Sequence, residues 1–381
     1  MLRHPTYTRD RIRQLVDRLG GRIYRETVAV DDLVVAGPVD RLPFEDAQQR
    51  SDYRPTKLGE QFGPAWATFW FRGRVNVPAK WRGDRVDLLW DSQSEATLWG
   101  DGQSLQGLNM NQGNRPDAVL REEAAGGETL SFQIEMACNN KFGVSAGNGR
   151  AASGGAISPF HLRQCAIARF DPQAWSLYHD ALVLVQLERD LHEDASTTDK
   201  SWQGLLLSEL NRFANILDLD NRDTWCQAGE VLRGLYEHRN GSRQLELTAI
   251  GHAHIDTAWL WPLAETHRKC VRSFATATAY MRDYPEYRFA CSQAYQYEYI
   301  KNEHPDLYAR IRERVETGQW VPVGGTWIEP DCNILPVRNP SSRNSREKVA
   351  HSFNSKRGPE LRVRAQRKSG YFSRLPVLNT F

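Results

Sequence analysis

Polar and apolar positions alternate over several short runs in the first half of the chain: Trp66 to Val77, Arg85 to Trp90, Ala96 to Trp99 and Leu130 to Ala137. In the last run Phe132, Ile134 and Met136 fall on one side and Ser131, Gln133 and Glu135 on the other, a period of two. Short runs rich in aromatic and β-branched residues, cut by turns such as Gly100-Asp101-Gly102, predict antiparallel strands packed as a β-sandwich over residues 60–170, with its tryptophans in the core.

The period then lengthens. Leu177, Ala181, Leu184, Val185 and Leu187 recur at helical spacing, as do Leu205, Leu206, Leu210, Phe213 and Leu217, and then Val231, Leu232 and Leu235. These predict a helical linker over 171–240, with the polar stretch Glu193 to Lys200 as its loop. Residues 1–59 read as an amphipathic surface helix up to Leu19 and an irregular lead-in.

After the turn signal Asn240-Gly241, an apolar run from Leu245 to Gly251 reads as a strand. A helix from Leu263 to Arg282, a strand from Tyr287 to Cys291, a helix from Ala294 to Thr317 and a strand from Trp320 to Val323 follow it. Pro305 either opens or kinks the second helix. That βαβα order predicts a parallel sheet, and with it the start of an α/β domain over 241–333.

At 381 residues the chain exceeds the roughly 250–300 at which single cores stop growing, so more than one domain is expected. No apolar run approaches the roughly 18 residues of a membrane helix, and Met1 to Leu19 has no signal-peptide pattern, so no membrane partner is expected. Cys138, Cys165, Cys226, Cys270, Cys291 and Cys332 form no CxxC pair. They read as small buried residues of a cytoplasmic protein. From Arg338 onward there are eleven basic residues and two acidic ones, net +9 in a chain whose total is +2. Such a tail can bind nucleic acid through its phosphates. Aromatic interleaving is sparse in the tail, and the preferred expectation is no nucleic-acid partner.

Chemistry is concentrated where the first α/β strand runs out, the place where parallel sheets put their ligands. His252, His254 and Asp256 stand at alternate positions, so imidazole nitrogen and carboxylate oxygen can converge on one divalent ion. Histidines hydrogen-bonded within a core would read the same. So would the HxH that opens an amidohydrolase barrel, and spacing alone does not separate them.

Three runs taken in order go further: Gly251 to Thr266 with Lys269 and Arg272-Ser-Phe, then Cys291 to Tyr299, then Gly318 to Asn333. Together they resemble the glycoside hydrolase family 38 α-mannosidases, especially their cytosolic and bacterial branch, and the upstream regions are similar to that branch from residue 1. The resemblance implies a β/α barrel-like catalytic domain and retaining hydrolysis of terminal α-mannosides from mannose-containing oligosaccharides. It implies one divalent metal ion, zinc or cobalt, held by His254 and Asp256, with Trp259 stacked on the mannose ring and His252 a supporting partner rather than a ligand. Glu329 and Asp331 either line the sugar pocket or lie in a solvated loop. Homo-oligomers are compatible with the full-length family.

A retaining mechanism also needs a carboxylate nucleophile and an acid/base, which in the family lie in later motifs and are unknown here. After Asn333 the sequence leaves the family pattern and becomes arginine-rich and aperiodic. The expectation is a frameshifted basic tail over 334–381 and an incomplete, inactive α-mannosidase. The alternative is a non-catalytic carbohydrate-binding or residual fragment in which only the sandwich folds.

Overall fold

The computed structural model describes residues 4–109, 115–139, 160–193, 200–237, 248–324 and 326–329. Asp331, Cys332 and the basic tail lie outside the described residues, as do 194–199 of the expected loop and 245–247 of the expected strand.

Helix α1 (Pro5–Gly20) is followed by β1 (Tyr24–Ala29), β2 (Asp32–Val39), α2 (Phe44–Gln49), β3 (Arg54–Pro55), β4 (Gln61–Phe62) and β5 (Thr68–Asn76). Next come β6 (Val86–Asp91), β7 (Glu95–Gly100), β8 (Gln103–Asn109), β9 (Asp117–Arg121), β10 (Thr129–Ala137), β11 (Phe160–His161) and β12 (Gln164–Phe170). A four-stranded sheet in the order β1-β12-β6-β9 faces a six-stranded sheet in the order β3-β2-β5-β10-β7-β8, and the β11-β4 pair is separate.

The expected sandwich is present, and its aromatic residues fill it: Phe71 of β5 meets Trp90 of β6 edge-on at 5.0 Å, joining the two sheets. Strands β5 and β10 pair over nine residues, placing Gly73 opposite Phe132, where an added Cβ would come within 2.2 Å of the ring. The lead-in expected to be irregular instead supplies β1, paired with β12, and β2, paired with β5. Strand β1 is a sheet edge with no buried residue, so its sequence carries no clean two-period signal.

Helices α3 (Pro172–Glu193), α4 (Lys200–Ile216) and α5 (Asp223–Tyr236) form the expected helical segment, and α1 packs into it through Ile12, Val16 and Leu19. Leu187, expected inside, is 38% exposed; the neighbouring Glu188 is buried and accepts two bonds from Arg9 Nε and one from Arg9 Nη2. A paired buried carboxylate thus replaces part of the apolar stripe.

The last unit holds β13 (Gly251–His252), α6 (Leu263–Asp283), β14 (Phe289–Cys291), α7 (Ala294–Glu303), α8 (Pro305–Glu316) and β15 (Trp320–Pro322). Its three strands pair in parallel in that order. Pairing of the first strand begins at Gly251, and 248–250 are not in a strand. The single helix expected from Ala294 is two, broken at His304, with Pro305 opening the second. Proline at a first helical position loses no intrahelical bond.

This unit is not separate from the sandwich. Trp70 and Trp99, on the outer face of the six-stranded sheet, share a core with Phe274, Tyr299 and Ile300. Glu135, expected on the polar face of its strand, is therefore buried. No helix among the described residues is long and apolar enough to cross a membrane.

Candidate metal and sugar site

The loop from Ala253 to Pro262 leaves the end of β13 and is held at two points. Thr266, in the first turn of α6, donates from Oγ1 to the Asp256 carbonyl at 3.0 Å and accepts from Ala258 N at 2.9 Å and Trp261 Nε1 at 3.0 Å. One hydroxyl thus uses its donor and both acceptor positions on the loop. Ala258, with φ +63, holds a left-handed conformation that this clamp stabilises.

The second clamp comes from the chain after β14, through Gln293 just ahead of α7 and Gln296 in its first turn. Gln293 Nε2 and Gln296 Nε2 both donate to the Ile255 carbonyl, at 2.8 and 2.7 Å, and Thr257 donates to Gln293 Oε1 at 2.9 Å. Gln293 itself has φ +66. The backbone between His254 and Asp256 is thereby fixed from both sides.

The structure brings His254, Asp256 and Glu329 together. His254 Nε2 lies 3.0 Å from Asp256 Oδ1 and Nδ1 lies 3.2 Å from Glu329 Oε2. Ser292 donates to the other Glu329 oxygen. His252 Nδ1 bonds the Ala290 carbonyl across the β13–β14 pair at 2.8 Å, which ties one ring nitrogen to the sheet. Trp259 is 54% exposed and stands edge-on to the buried Trp261 at 5.3 Å. Asp331 lies outside the described residues, so its expected place in the pocket is not reached.

A metal ion fits the His254–Asp256 pair as two donors of a larger set. A carboxylate oxygen flanks each ring nitrogen of His254. Two N/O donors each about 2.1 Å from one ion stand roughly 3.0–3.4 Å apart, which matches the pair. Among the described residues there is no group of three or more His, Cys, Asp or Glu placed to hold a metal. Nearby Cys291 is buried, which pushes its thiol up to about 12, so it packs as a small apolar side chain.

His252, His254, Asp256 and Trp259 line an open cleft of about 510 Å³, whose far wall is the sandwich, through Glu95, Asn109 and Arg115. Gly107 of β8 allows α6 this close: a Cβ there would lie 3.1 Å from Arg272 Cβ, and its N–H bonds Thr276 Oγ1 at 3.0 Å. Beneath the cleft lies a buried ionic cluster. Glu95 pairs with Lys269 at 2.6 Å and Arg272 at 2.7 Å, while Glu265 pairs with Arg268 at 2.7 Å and with Arg272. Burial alone would raise Glu95 and Glu265, but Arg272 and its cationic neighbours outweigh it and hold both carboxyls below their ordinary range. Lys269 Nζ also sits 4.8 Å from the Trp261 ring centroid, so the cluster braces the loop through a cation–π contact.

None of Glu95, Thr266, Gln293 and Gln296 has a metal or sugar role legible in sequence. Thr266 and the two glutamines do lie within the quoted motif runs.

Two family models match the chain. Residues 28–168 match "Alpha-mannosidase, jelly roll domain" and residues 244–339 match "Glycosyl hydrolases family 38 N-terminal domain". The chain is 36% identical to "Alpha-mannosidase 2C1" of Homo sapiens over 342 residues, covering 87% of this chain and 32% of that protein. The chain carries two amino-terminal domains of the glycoside hydrolase family 38 α-mannosidases. Two further family relatives are "Alpha-mannosidase G" of Dictyostelium discoideum, 32% identical over 88% of this chain and 31% of its own, and "Alpha-mannosidase" of Saccharomyces cerevisiae, 31% identical over 76% and 27%. The chain thus spans about a third of the length of the curated relatives it matches. Among solved structures a Faecalibacterium prausnitzii β-glucuronidase matches 39% of this chain and 31% of its own at 16% identity, with a TM-score of 0.29. In family terms, both the sandwich and the start of the α/β domain are accounted for.

Proposed function

We propose that this chain carries the mannose-recognition and metal-binding part of an α-mannosidase that hydrolyses terminal α-mannosides with retention. The observation that carries the reading is the 3.0 Å approach of His254 Nε2 to Asp256 Oδ1 beside the exposed indole of Trp259, at one end of a parallel sheet. His254 and Asp256 would hold one zinc or cobalt ion. When bound, such an ion supplies a Lewis acid that can grip adjacent sugar hydroxyls.

Trp259 offers a flat apolar face for the mannose ring, and Trp261, Thr266 and Lys269 keep it at the cleft mouth. Along the sandwich wall of the open cleft, Asn109 and Arg115 offer polar groups to further sugar units of an oligosaccharide. A retaining reaction needs two carboxyl groups roughly 5 Å apart, and no nucleophile or acid/base is assigned among the described residues. The chain alone is accordingly expected to bind without turnover. Cys138, Cys165, Cys270 and Cys291 are buried free thiols, whereas Cys226, also expected to be buried, is exposed on α5; free thiols suit a reducing cytoplasm.

The test is hydrolysis of a chromogenic α-mannoside by the purified chain with added zinc or cobalt, with His254→Ala as control. No turnover by a folded chain is expected. Turnover that disappears in His254→Ala would show a complete site and overturn the assignment of a recognition part alone.

A further inference from the structure

We propose that Glu329 is a positioning residue that orients the imidazole of His254 for a cation, rather than a sugar contact; this rests on the metal-binding reading above. Glu329 follows β15, Ser292 follows β14 and His254 follows β13, so one carboxylate ties together the ends of three parallel strands. Its Oε2 faces His254 Nδ1 at 3.2 Å, and its other oxygen accepts from Ser292 Oγ. Gly324, with φ +75, turns the chain back after β15, and a Cβ there would lie 3.6 Å from Ser292 Cβ. The carboxylate is thus oriented by its own partner before any ligand arrives.

A cation held by Nε2 leaves the ring's one proton on Nδ1, where Glu329 Oε2 stands to accept it, while Asp256 Oδ1 lies 3.0 Å from Nε2 on the cation's side. Without Glu329, Nδ1–H loses its acceptor and nothing on that side holds the ring in this orientation. Partners that orient a ligating histidine typically contribute about 10–100-fold to metal affinity.

The experiment titrates cobalt(II) into metal-stripped full chain, read by calorimetry and by the visible absorption of the bound ion, with folding checked by circular dichroism. Variants are His254→Ala, Glu329→Ala and Glu329→Gln. The expected result is binding in the parent chain, loss in His254→Ala, and about 10–100-fold weaker binding with an altered spectrum in Glu329→Ala. Glu329→Gln, whose amide oxygen still accepts from Nδ1–H, stays closer to the parent than to Glu329→Ala. Parent-like affinity and spectrum in Glu329→Ala, with His254→Ala still inactive in binding, would overturn the role of Glu329 and leave the metal site standing. Absence of cobalt binding in the parent chain would overturn the metal site itself, and the role of Glu329 with it.

Discussion

Lys269 Nζ lies 2.6 Å from the carboxylate of Glu95, a residue 174 positions away, and the contact is sealed between helix α6 and strand β7. Removing Glu95 leaves Lys269 and Arg272 buried without their shared partner. Glu95→Gln is expected to destabilise the fold by about 3–5 kcal/mol, measured by urea denaturation. Arg13→Gln, which breaks an exposed pair with Asp10 on α1, is the contrast and shifts stability by no more than about 0.5 kcal/mol. Equal effects of the two would show that the cluster does not join the two units.

Thr266→Val keeps the shape of the side chain and removes three hydrogen bonds to the loop. The cost is about 1–3 kcal/mol, because the Trp261 indole N–H and loop backbone groups lose their partner. Thermal unfolding followed by tryptophan fluorescence checks it, and Thr266→Ser should recover most of the loss. A Thr266→Val protein as stable as the parent would rule out the clamp.

The two tryptophans of the loop separate recognition from stability. Trp261 is 8% exposed and its replacement by alanine is expected to cost about 3–5 kcal/mol. Trp259 is 54% exposed, so Trp259→Ala should change stability little while weakening binding of methyl α-mannoside in a fluorescence or calorimetric titration. Unchanged mannoside affinity in Trp259→Ala would remove the indole from the sugar site.

Much of this arrangement is legible in sequence, for physical reasons. The two-period of β10, the helical stripe of α5 and the Pro305 helix start all report local burial or backbone geometry directly. Strands β1 and β2 are not legible in the same way: one is a half-exposed edge, and the other carries Leu33, Val34, Val35 and Ala36 in one unalternating run before Gly37-Pro38. Helix α6 misleads more. Glu265, Arg268, Lys269 and Arg272 fall at the spacing of a solvated face, yet all four are buried against the sandwich while Leu263 is 43% exposed. Pairing with Glu95, a long-range partner, makes that burial tolerable, and no local pattern encodes it. At the site, the alternate spacing of His254 and Asp256 is visible in sequence, whereas Thr266, Gln293 and Glu329 act through contacts that only the folded loop creates.

Acid sensitivity should show a specific window. Burial, with Arg41 nearby, pushes His304 down to about 4 from an ordinary value near 6.5; Asp306, Glu303 and His267 also face it. A depressed histidine is neutral in the fold and takes up a proton on unfolding, so its contribution to stability is present above about pH 6.5 and is lost as pH falls towards 4. Asp171 acts in a lower window: burial alone would raise it, but Arg25 and Arg222 hold it down to about 2 from 3.8. His304→Gln is expected to flatten the pH dependence of unfolding free energy between 6.5 and 4. An unchanged slope in that variant would assign the window to other groups.

The most direct measurement is calorimetric titration of methyl α-mannoside into the zinc-loaded chain, repeated after chelation and with Asp256→Ala. The expected result is saturable binding with zinc that is lost with chelator and lost in the variant, while the protein stays folded. Mannoside binding that persists without metal and without the Asp256 carboxylate would contradict a sugar site built on the His254–Asp256 pair.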